Sequence, residues 1–324
     1  MIDAVAVPHG PGPGPIPDLD ALARRLPARP LTRFAPAPTG DLHLGHLVNA
    51  IYVWGLARAL GGRVLLRIED HDQTRARPDF ERSILDDLDW LGLEPDLAGA
   101  APGPGGTPLR QSDGTHRYVG ALARLRATSR VYACDCSRRD IAQIAGDVAD
   151  RETPYPGRCR ARGLADEPGR GLRLLLEPGT ETFDDARVGA QAQDPSTQCG
   201  DLLLRDRLGH WTYQFAVTVD DLDQGVDLVI RGEDLLASTG RQIRLARLLG
   251  RQVPPVFLHH ALVRRQDGHK LSKSSRDTSV RDLRAGGATA AQLLGRAAAL
   301  CGLAPAGARI EAGDLAGLFD GSSP

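Results

Sequence analysis

The chain predicts an α/β protein built on a doubly wound parallel sheet of Rossmann type. Three observations carry this. A strand–turn–helix unit runs from Arg33 to Ala57. After Gly61-Gly62 comes Arg63-Val64-Leu65-Leu66-Arg67-Ile68, an apolar run of the kind buried on both faces of a parallel sheet. Strand, helix and strand in that order form a βαβ unit. The pattern returns downstream, with Val226 to Ile230 as a strand and Ser238 to Leu249 as a helix.

The elements follow in order. Residues 1 to about 30 are rich in Pro and Gly, carry too little apolar content to pack, and are expected to be a flexible leader with at most a short helix from Asp18 to Leu26. The strand at Arg33 breaks at Pro36, Pro38 and Gly40, and a helix opens at Leu44 with Leu47, Ile51, Trp54 and Ala57 on one face. The second strand ends in Glu69-Asp70-His71-Asp72, so carboxylates gather at the sheet edge where such folds take ligands. Asp79 to Leu91 reads as a helix, residues 97 to 108 as a Gly/Pro loop, and Thr115 to about Ala127 as a helix again. Strands are expected at Leu172 to Leu176 and Asp201 to Asp206. Leu208-Gly209-His210 is expected to turn a hairpin into a further strand, Trp211 to Val219, ended by Asp220-Asp221. Ser238 or Thr239 is the expected N-cap of the helix that follows. Val256-Phe257-Leu258 leads to His259-His260 and a lysine-bearing loop, and helices close the chain around Val280–Arg284 and Ala288–Leu300.

The 324 residues suffice for one large or two modest domains, and 41% hydrophobic with 25% charged residues is ordinary for a globular chain. A net charge of −1 excludes a global basic field, so a nucleic-acid partner needs a local patch. No apolar run is long enough to span a bilayer, and the first residues lack a charged segment followed by an apolar core, so no membrane partner is expected. Five cysteines, an odd number, argue against a disulfide scaffold and for a reducing, cytoplasmic location.

Two short motifs carry chemistry. His43 and His46 flank Gly45 at a helix mouth, where backbone N–H groups and the positive end of the helix dipole favour an anion, and Gly45 leaves room for a flat base. Far downstream, Lys270-Leu271-Ser272-Lys273-Ser274 sets two lysines among small hydroxyl residues. There is no Walker A loop. Separately, Cys134, Cys136 and Cys159 offer three thiolates for a tetrahedral metal, or are three partly buried free thiols. No histidine lies between Cys136 and Cys159, and the oxygen of Tyr155 would be a rare fourth ligand.

The pair His43-Leu44-Gly45-His46 and Lys270-Leu271-Ser272-Lys273-Ser274 resembles the HIGH and KMSKS motifs of class I aminoacyl-tRNA synthetases. Arg67-Ile68-Glu69-Asp70 resembles the RIED segment of the glutamyl-tRNA synthetases, and the likeness covers roughly residues 31 to 300. It implies ATP-dependent activation of L-glutamate to an acyl-adenylate, with Mg²⁺ travelling with ATP. His43, Gly45, His46 and Lys273 would bind ATP. His43, His46, Lys270 and Lys273 would form the catalytic set. Glutamate would be held by the segment Arg33-Phe34-Ala35-Pro36-Ala37 with Glu69, Tyr213 and Arg231: guanidiniums for carboxylate, an acid for the ammonium. The family carries Ser where this chain has Ala37, so that hydroxyl is missing.

Cys-x-Cys followed by Tyr-x-x-x-Cys resembles the zinc site of the glutamyl-Q tRNA(Asp) synthetases, implying one structural Zn²⁺ on Cys134, Cys136, Tyr155 and Cys159. That group lacks an anticodon-binding half, and only about fifty residues follow the lysine loop here. The likeness implies a monomer that transfers glutamate to the queuosine base in the anticodon arm of tRNA(Asp). Arg241, Arg244 and Arg247 are offered as a cluster for RNA phosphates. The alternatives are a compact glutamyl-tRNA synthetase charging the 3′ end of tRNA(Glu), or a non-catalytic binding paralogue. The expected division is a leader (1–30), the first half of the catalytic domain (31–110), an inserted zinc-binding subdomain (111–200), the second half with the lysine loop (201–275) and a short helical C-terminal segment (276–324).

Overall fold

The computed structural model describes residues 17–98, 101–102, 109–145, 152–263 and 278–320. Lys270 and Lys273 lie outside the described residues, as do residues 1–16 of the leader. Helix α1 (Leu19–Ala23) is capped by Asp18 and buries Leu22 in the main core, so the chain is packed from Asp18 onward. Strand β1 (Leu31–Phe34) passes through the Pro/Gly turn into α2 (Leu44–Ala59), and β2 (Arg63–Ile68) returns parallel to β1 with Leu65 opposite Arg33. Helix α3 (Pro78–Trp90) starts on a proline, which presets the first helical φ. Short strands β3 (Leu97–Ala98) and β4 (Ala101–Pro102) extend the sheet, and β5 (Leu109–Arg110) joins β2 near its carboxyl end.

Next come α4 (Thr115–Thr128), β6 (Val131–Cys134), α5 (Arg138–Ala145), β7 (Gly171–Leu174), the hairpin of β8 (Glu181–Asp185) and β9 (Gly189–Gln193), α6 (Pro195–Gln198) and β10 (Leu202–Arg205). Strands β6, β7 and β10 form an antiparallel sheet over a second apolar cluster, which includes Tyr118, Leu125, Leu174 and Phe215. This sheet draws on residues from both sides of position 200. The β8–β9 hairpin is attached elsewhere, with β8 parallel to the strand Val256–His260 of the other parallel sheet segment.

The segment expected as a strand from Trp211 to Val219 is instead helix α7 (Tyr213–Asp223). Its β-branched and aromatic residues misled because Phe215 to Asp221 are all buried, Thr218, Asp220 and Asp221 included, so no polar solvent face marks a helical period. The change matters for the site. Tyr213 and Asp220 lie about 10 Å apart along a helix, against about 24 Å along a strand, and share one face.

Strand β11 (Leu228–Gly232) is followed by α8 (Thr239–Leu248), β12 (Val256–His260), α9 (Val280–Ala285) and α10 (Ala290–Leu300). Ser238 sits at the N-cap position of α8 but makes no side-chain capping bond, and Thr239 turns its hydroxyl to Arg231 instead. Strand β12 is parallel to β11, with His259 opposite Arg231. On its other side β11 runs beside β1: the Asp227 amide donates to the Leu31 carbonyl at 2.8 Å, and Arg33 donates to the Ile230 carbonyl at 3.2 Å. The winding therefore reverses between β1 and β11, which is where such sheets open a crevice at their carboxyl ends.

Helix α2 lies in the main core against β1, β11, α10 and the C-terminal turn Ala312–Leu318. Each large apolar side chain buried there contributes about 1.5–3 kcal/mol. Gly55 permits the closest approach, since a Cβ there would come within 2.3 Å of the Phe319 ring.

Candidate active site

The carboxyl ends of β1, β2 and β11 and the N-terminal end of α7 bring Arg33, Glu69, Tyr213 and Arg231 into one electrostatic neighbourhood. Burial first, and then Glu69, pushes the Tyr213 phenol upward, while Arg231 and Arg33 pull the other way. These four residues are far apart in sequence and sit together in the fold.

Asp221 organises two of the cations. Arg33 donates to it through Nε at 3.1 Å, and Arg67 through Nη1 at 2.8 Å; Arg67 also reaches Glu69 at 3.2 Å. Burial opposes charge on Asp221, but Arg33 and Arg67 hold its carboxyl below the usual range. The neighbouring Asp220 accepts from Gln111 (2.9 Å), Arg117 (2.9 Å) and the Tyr118 hydroxyl (2.8 Å), and Gln111 in turn meets His71 at 2.7 Å. Neither aspartate is among the site residues expected from the sequence. The available signal was an Asp-Asp pair inside an apolar run.

Arg231 is different. It is 4% exposed, yet its hydrogen-bond partners are all neutral: His259 Nε2 at 2.9 Å, Gln242 Oε1 at 2.7 Å, Thr239 Oγ1 at 2.9 Å and the Leu235 carbonyl at 3.4 Å. Among the described residues it forms no ion pair. A buried guanidinium without a carboxylate partner is costly unless a ligand supplies the anion.

Of the remaining segment, Phe34 is packed into the core against Trp54 with ring centroids 5.1 Å apart, so its side chain faces away from the crevice. Ala35 and Ala37 are half-buried, and the Pro36 carbonyl accepts the Glu69 amide at 3.0 Å, tying the turn to the end of β2.

The two histidines form a capping box at the start of α2. His43 Nδ1 accepts the Gly45 amide and His46 Nδ1 accepts the His43 amide, each at 3.1 Å, with the rings 3.9 Å apart. With Nδ1 an acceptor, each neutral ring carries its proton on Nε2. Two N–H donors are thereby fixed at a helix N-terminus. Ser279, just beyond the residues that carry the lysines, bridges to His43, and the Val280 amide donates to the Leu42 carbonyl at 2.8 Å.

At the far end of the antiparallel sheet the Sγ atoms of Cys134, Cys136 and Cys159 lie within 4.8 Å of one another, with Cys136 and Cys159 3.6 Å apart. The Tyr155 hydroxyl sits 3.5 Å from Cys134 Sγ and 3.9 Å from Cys136 Sγ, and accepts the Cys159 amide at 2.8 Å. Burial, and then the hydrogen bond with the Cys159 thiol, raises the Cys136 thiol. Gly200 makes room for Tyr155: a Cβ at that position would come within 2.1 Å of the Tyr155 carbonyl.

The arginines of α8 do not form the open phosphate-binding cluster expected from the sequence. Arg241 is buried and paired with Glu152, while Arg244 and Arg247 both engage Glu181. Positions three residues apart on one helix face meet the same carboxylate, so their charge is largely used within the fold.

Residues 31–310 match the catalytic domain of the class I tRNA synthetases (E and Q). The chain is 40% identical over 282 residues to the glutamyl-Q tRNA(Asp) synthetase of Nitratidesulfovibrio vulgaris, covering 84% of this chain and 86% of that one. It is 42% identical to the glutamyl-Q tRNA(Asp) synthetase of Rhodobacter capsulatus, covering 81% of this chain and 98% of the relative. Among solved structures, a glutamate tRNA ligase from Elizabethkingia meningosepticum, in complex with its amino acid, superposes with a TM-score of 0.71 at 26% identity, over 90% of this chain and 64% of that one. The glutamate-tRNA synthetase of Elizabethkingia anophelis gives 0.64 at 30% identity, over 77% of this chain and 53% of that one.

Proposed function

We infer, for a chain that belongs to the glutamyl-Q tRNA(Asp) synthetase family of the class I (E and Q) tRNA synthetases, that it activates L-glutamate with ATP and transfers it to the queuosine base of the tRNA(Asp) anticodon. The observation that carries the amino-acid half is Arg231, a buried guanidinium whose protein partners are all neutral. The side-chain carboxylate of glutamate supplies its missing anion. Arg33 flanks it, Glu69 takes the ammonium, and Tyr213 forms a wall. The acceptor half rests on the names of the relatives.

In the first step an oxygen of the substrate α-carboxylate attacks the α-phosphorus of ATP. The bond from that phosphorus to the bridging oxygen breaks, pyrophosphate leaves, and glutamyl-adenylate remains. His43 and His46 donate through Nε2 to the α-phosphate region, while Lys273, with Lys270 supporting, meets the leaving phosphates. The Ser279–His43 bridge supports the role of the histidine pair by fixing the residues around His43 against the start of α9. Mg²⁺ bound with ATP would supply positive charge to the phosphates. In the second step the acceptor on queuosine attacks the activated carbonyl and AMP leaves.

Replacing His46 by Ala is expected to lower the exchange rate by about 10²–10³ with little change in glutamate KM, since one preplaced donor to the phosphate is lost. Steady-state ATP–pyrophosphate exchange measures both constants, and an unchanged rate would remove His46 from the mechanism. The reading itself is tested by the same assay without tRNA: exchange that depends on glutamate, and not on glutamine or aspartate, is the expected result.

We further propose that Cys134, Cys136, Cys159 and Tyr155 hold one structural Zn²⁺. A tetrahedral zinc with bonds of about 2.3 Å to sulfur sets neighbouring sulfurs about 3.8 Å apart. The 3.6 Å between Cys136 and Cys159 fits that spacing, and Tyr155 completes the shell. Elemental analysis is expected to give one zinc per chain. Cys159→Ser is expected to lose it, and Tyr155→Phe to release it to a chelator roughly ten-fold faster or more. Metal-free wild-type protein after refolding with zinc would overturn the assignment.

A further inference from the structure

Arg231 is oriented by a buried relay that the mechanism above does not use. Its Nε donates to His259 Nε2 at 2.9 Å, and His259 Nδ1 meets Asp185 Oδ2 at 2.6 Å. The His259 and Asp185 side chains are both 0% exposed. Three strands build the relay: Arg231 on β11 stands opposite His259 on β12, and Asp185, the last residue of β8, stands opposite Phe257, two residues before His259 on the same face of β12. We propose that His259, held as a neutral acceptor by Asp185, is a positioning residue that fixes the Arg231 guanidinium for the side-chain carboxylate of the amino-acid substrate. The proposal rests on the glutamate reading and deepens it.

The protonation pattern follows from the donors. Arginine Nε–H can only donate, so His259 Nε2 is the acceptor and the ring proton sits on Nδ1, pointing at Asp185. A second proton on Nε2 would face the Arg231 N–H and break the contact. The ring therefore acts only when neutral.

Charged and titratable groups meet His259 from each neighbouring element. Asp185 comes from β8 and Arg231 from β11. Arg187, in the β8–β9 turn, donates to the His259 carbonyl, and His260 is the next residue. Burial depresses the imidazole, Asp185 raises it, and Arg231 and Arg187 lower it; the net direction is down. Asp185 is itself kept ionised against burial by His259 and the amides of Val188 and Arg187. The sign is then fixed. The relay is intact at neutral pH and fails as pH drops below the ordinary imidazole range, about 6.5.

The test is ATP–pyrophosphate exchange by wild type, His259→Leu, His259→Gln and Asp185→Asn from about pH 5.5 to 8.5, with glutamate binding measured separately by calorimetry. His259→Leu removes the acceptor and is expected to raise glutamate KM roughly 10- to 100-fold, with ATP KM little changed and kcat much less affected. His259→Gln keeps an acceptor oxygen and is expected to restore most of the affinity. Wild-type glutamate KM is expected to climb on acidification, and His259→Gln to lose that limb. Wild-type glutamate KM in His259→Leu would overturn the proposal. So would equal damage to ATP KM and kcat, which marks a general structural role, or an identical acid limb in His259→Gln. Wild type without glutamate-dependent exchange would instead overturn the glutamate reading, a separate failure visible before any variant is made.

Discussion

Arg231→Ala is expected to reduce kcat/KM for glutamate by about 10²–10³ or more, because truncating one partner of a desolvated charge pair typically costs about 2–5 kcal/mol. The loss should fall mainly on the amino acid. Arg231 stands among His259, Gln242 and Thr239, none of which is an anion, so the pocket is built for a ligand that brings its own charge. Arg231→Lys is expected to recover little, since a point charge on a flexible stem cannot satisfy the acceptors that fix the planar fork. Exchange kinetics with varied glutamate measure this, and a variant with near-wild-type KM would place the carboxylate elsewhere, with Arg33 the next candidate.

Asp221→Asn is expected to be the most damaging single change to both stability and activity. The carboxylate holds Arg33 and Arg67, whose side chains are 5% and 0% exposed, and the variant leaves two like charges buried without a full counter-charge. Breaking a buried pair in this way costs about 3–5 kcal/mol, which lowers the melting midpoint on the order of 10 °C. The pH dependence has a definite sign. Because Arg33 and Arg67 depress the Asp221 pKa against burial, its contribution is complete above the ordinary aspartate value, about 4, and is lost as pH falls further. Thermal unfolding of wild type and variant at neutral and acid pH reads both effects. A variant that melts with wild type would mean the two arginines find other partners.

The sheet and the charges at its edge were legible because each rests on a local signal, whereas the proposed glutamate set came from family resemblance. The strand Arg63–Ile68 shows as an apolar run, α2 as an apolar stripe after a Pro/Gly turn, and Arg33, Glu69 and Arg231 as charges at strand ends. What escaped depends on contacts across the fold. Asp185 and His259 are 74 residues apart, and nothing in either neighbourhood marks them as partners. Helix α7 escaped because its burial removes the amphipathic period, and its Asp220-Asp221 pair took a role only once the helix turned both toward β1, β2 and α4. The arginines of α8 looked like a phosphate patch because Glu181 is distant in sequence though adjacent in space.

The most direct measurement of the central claim is transfer of radiolabelled glutamate by the purified protein to two substrates in parallel: tRNA(Asp) containing queuosine, and tRNA(Glu). Label on tRNA(Asp) that requires queuosine, with none on tRNA(Glu), is the predicted result. Label on the 3′ end of tRNA(Glu) would contradict it and make the chain a compact glutamyl-tRNA synthetase.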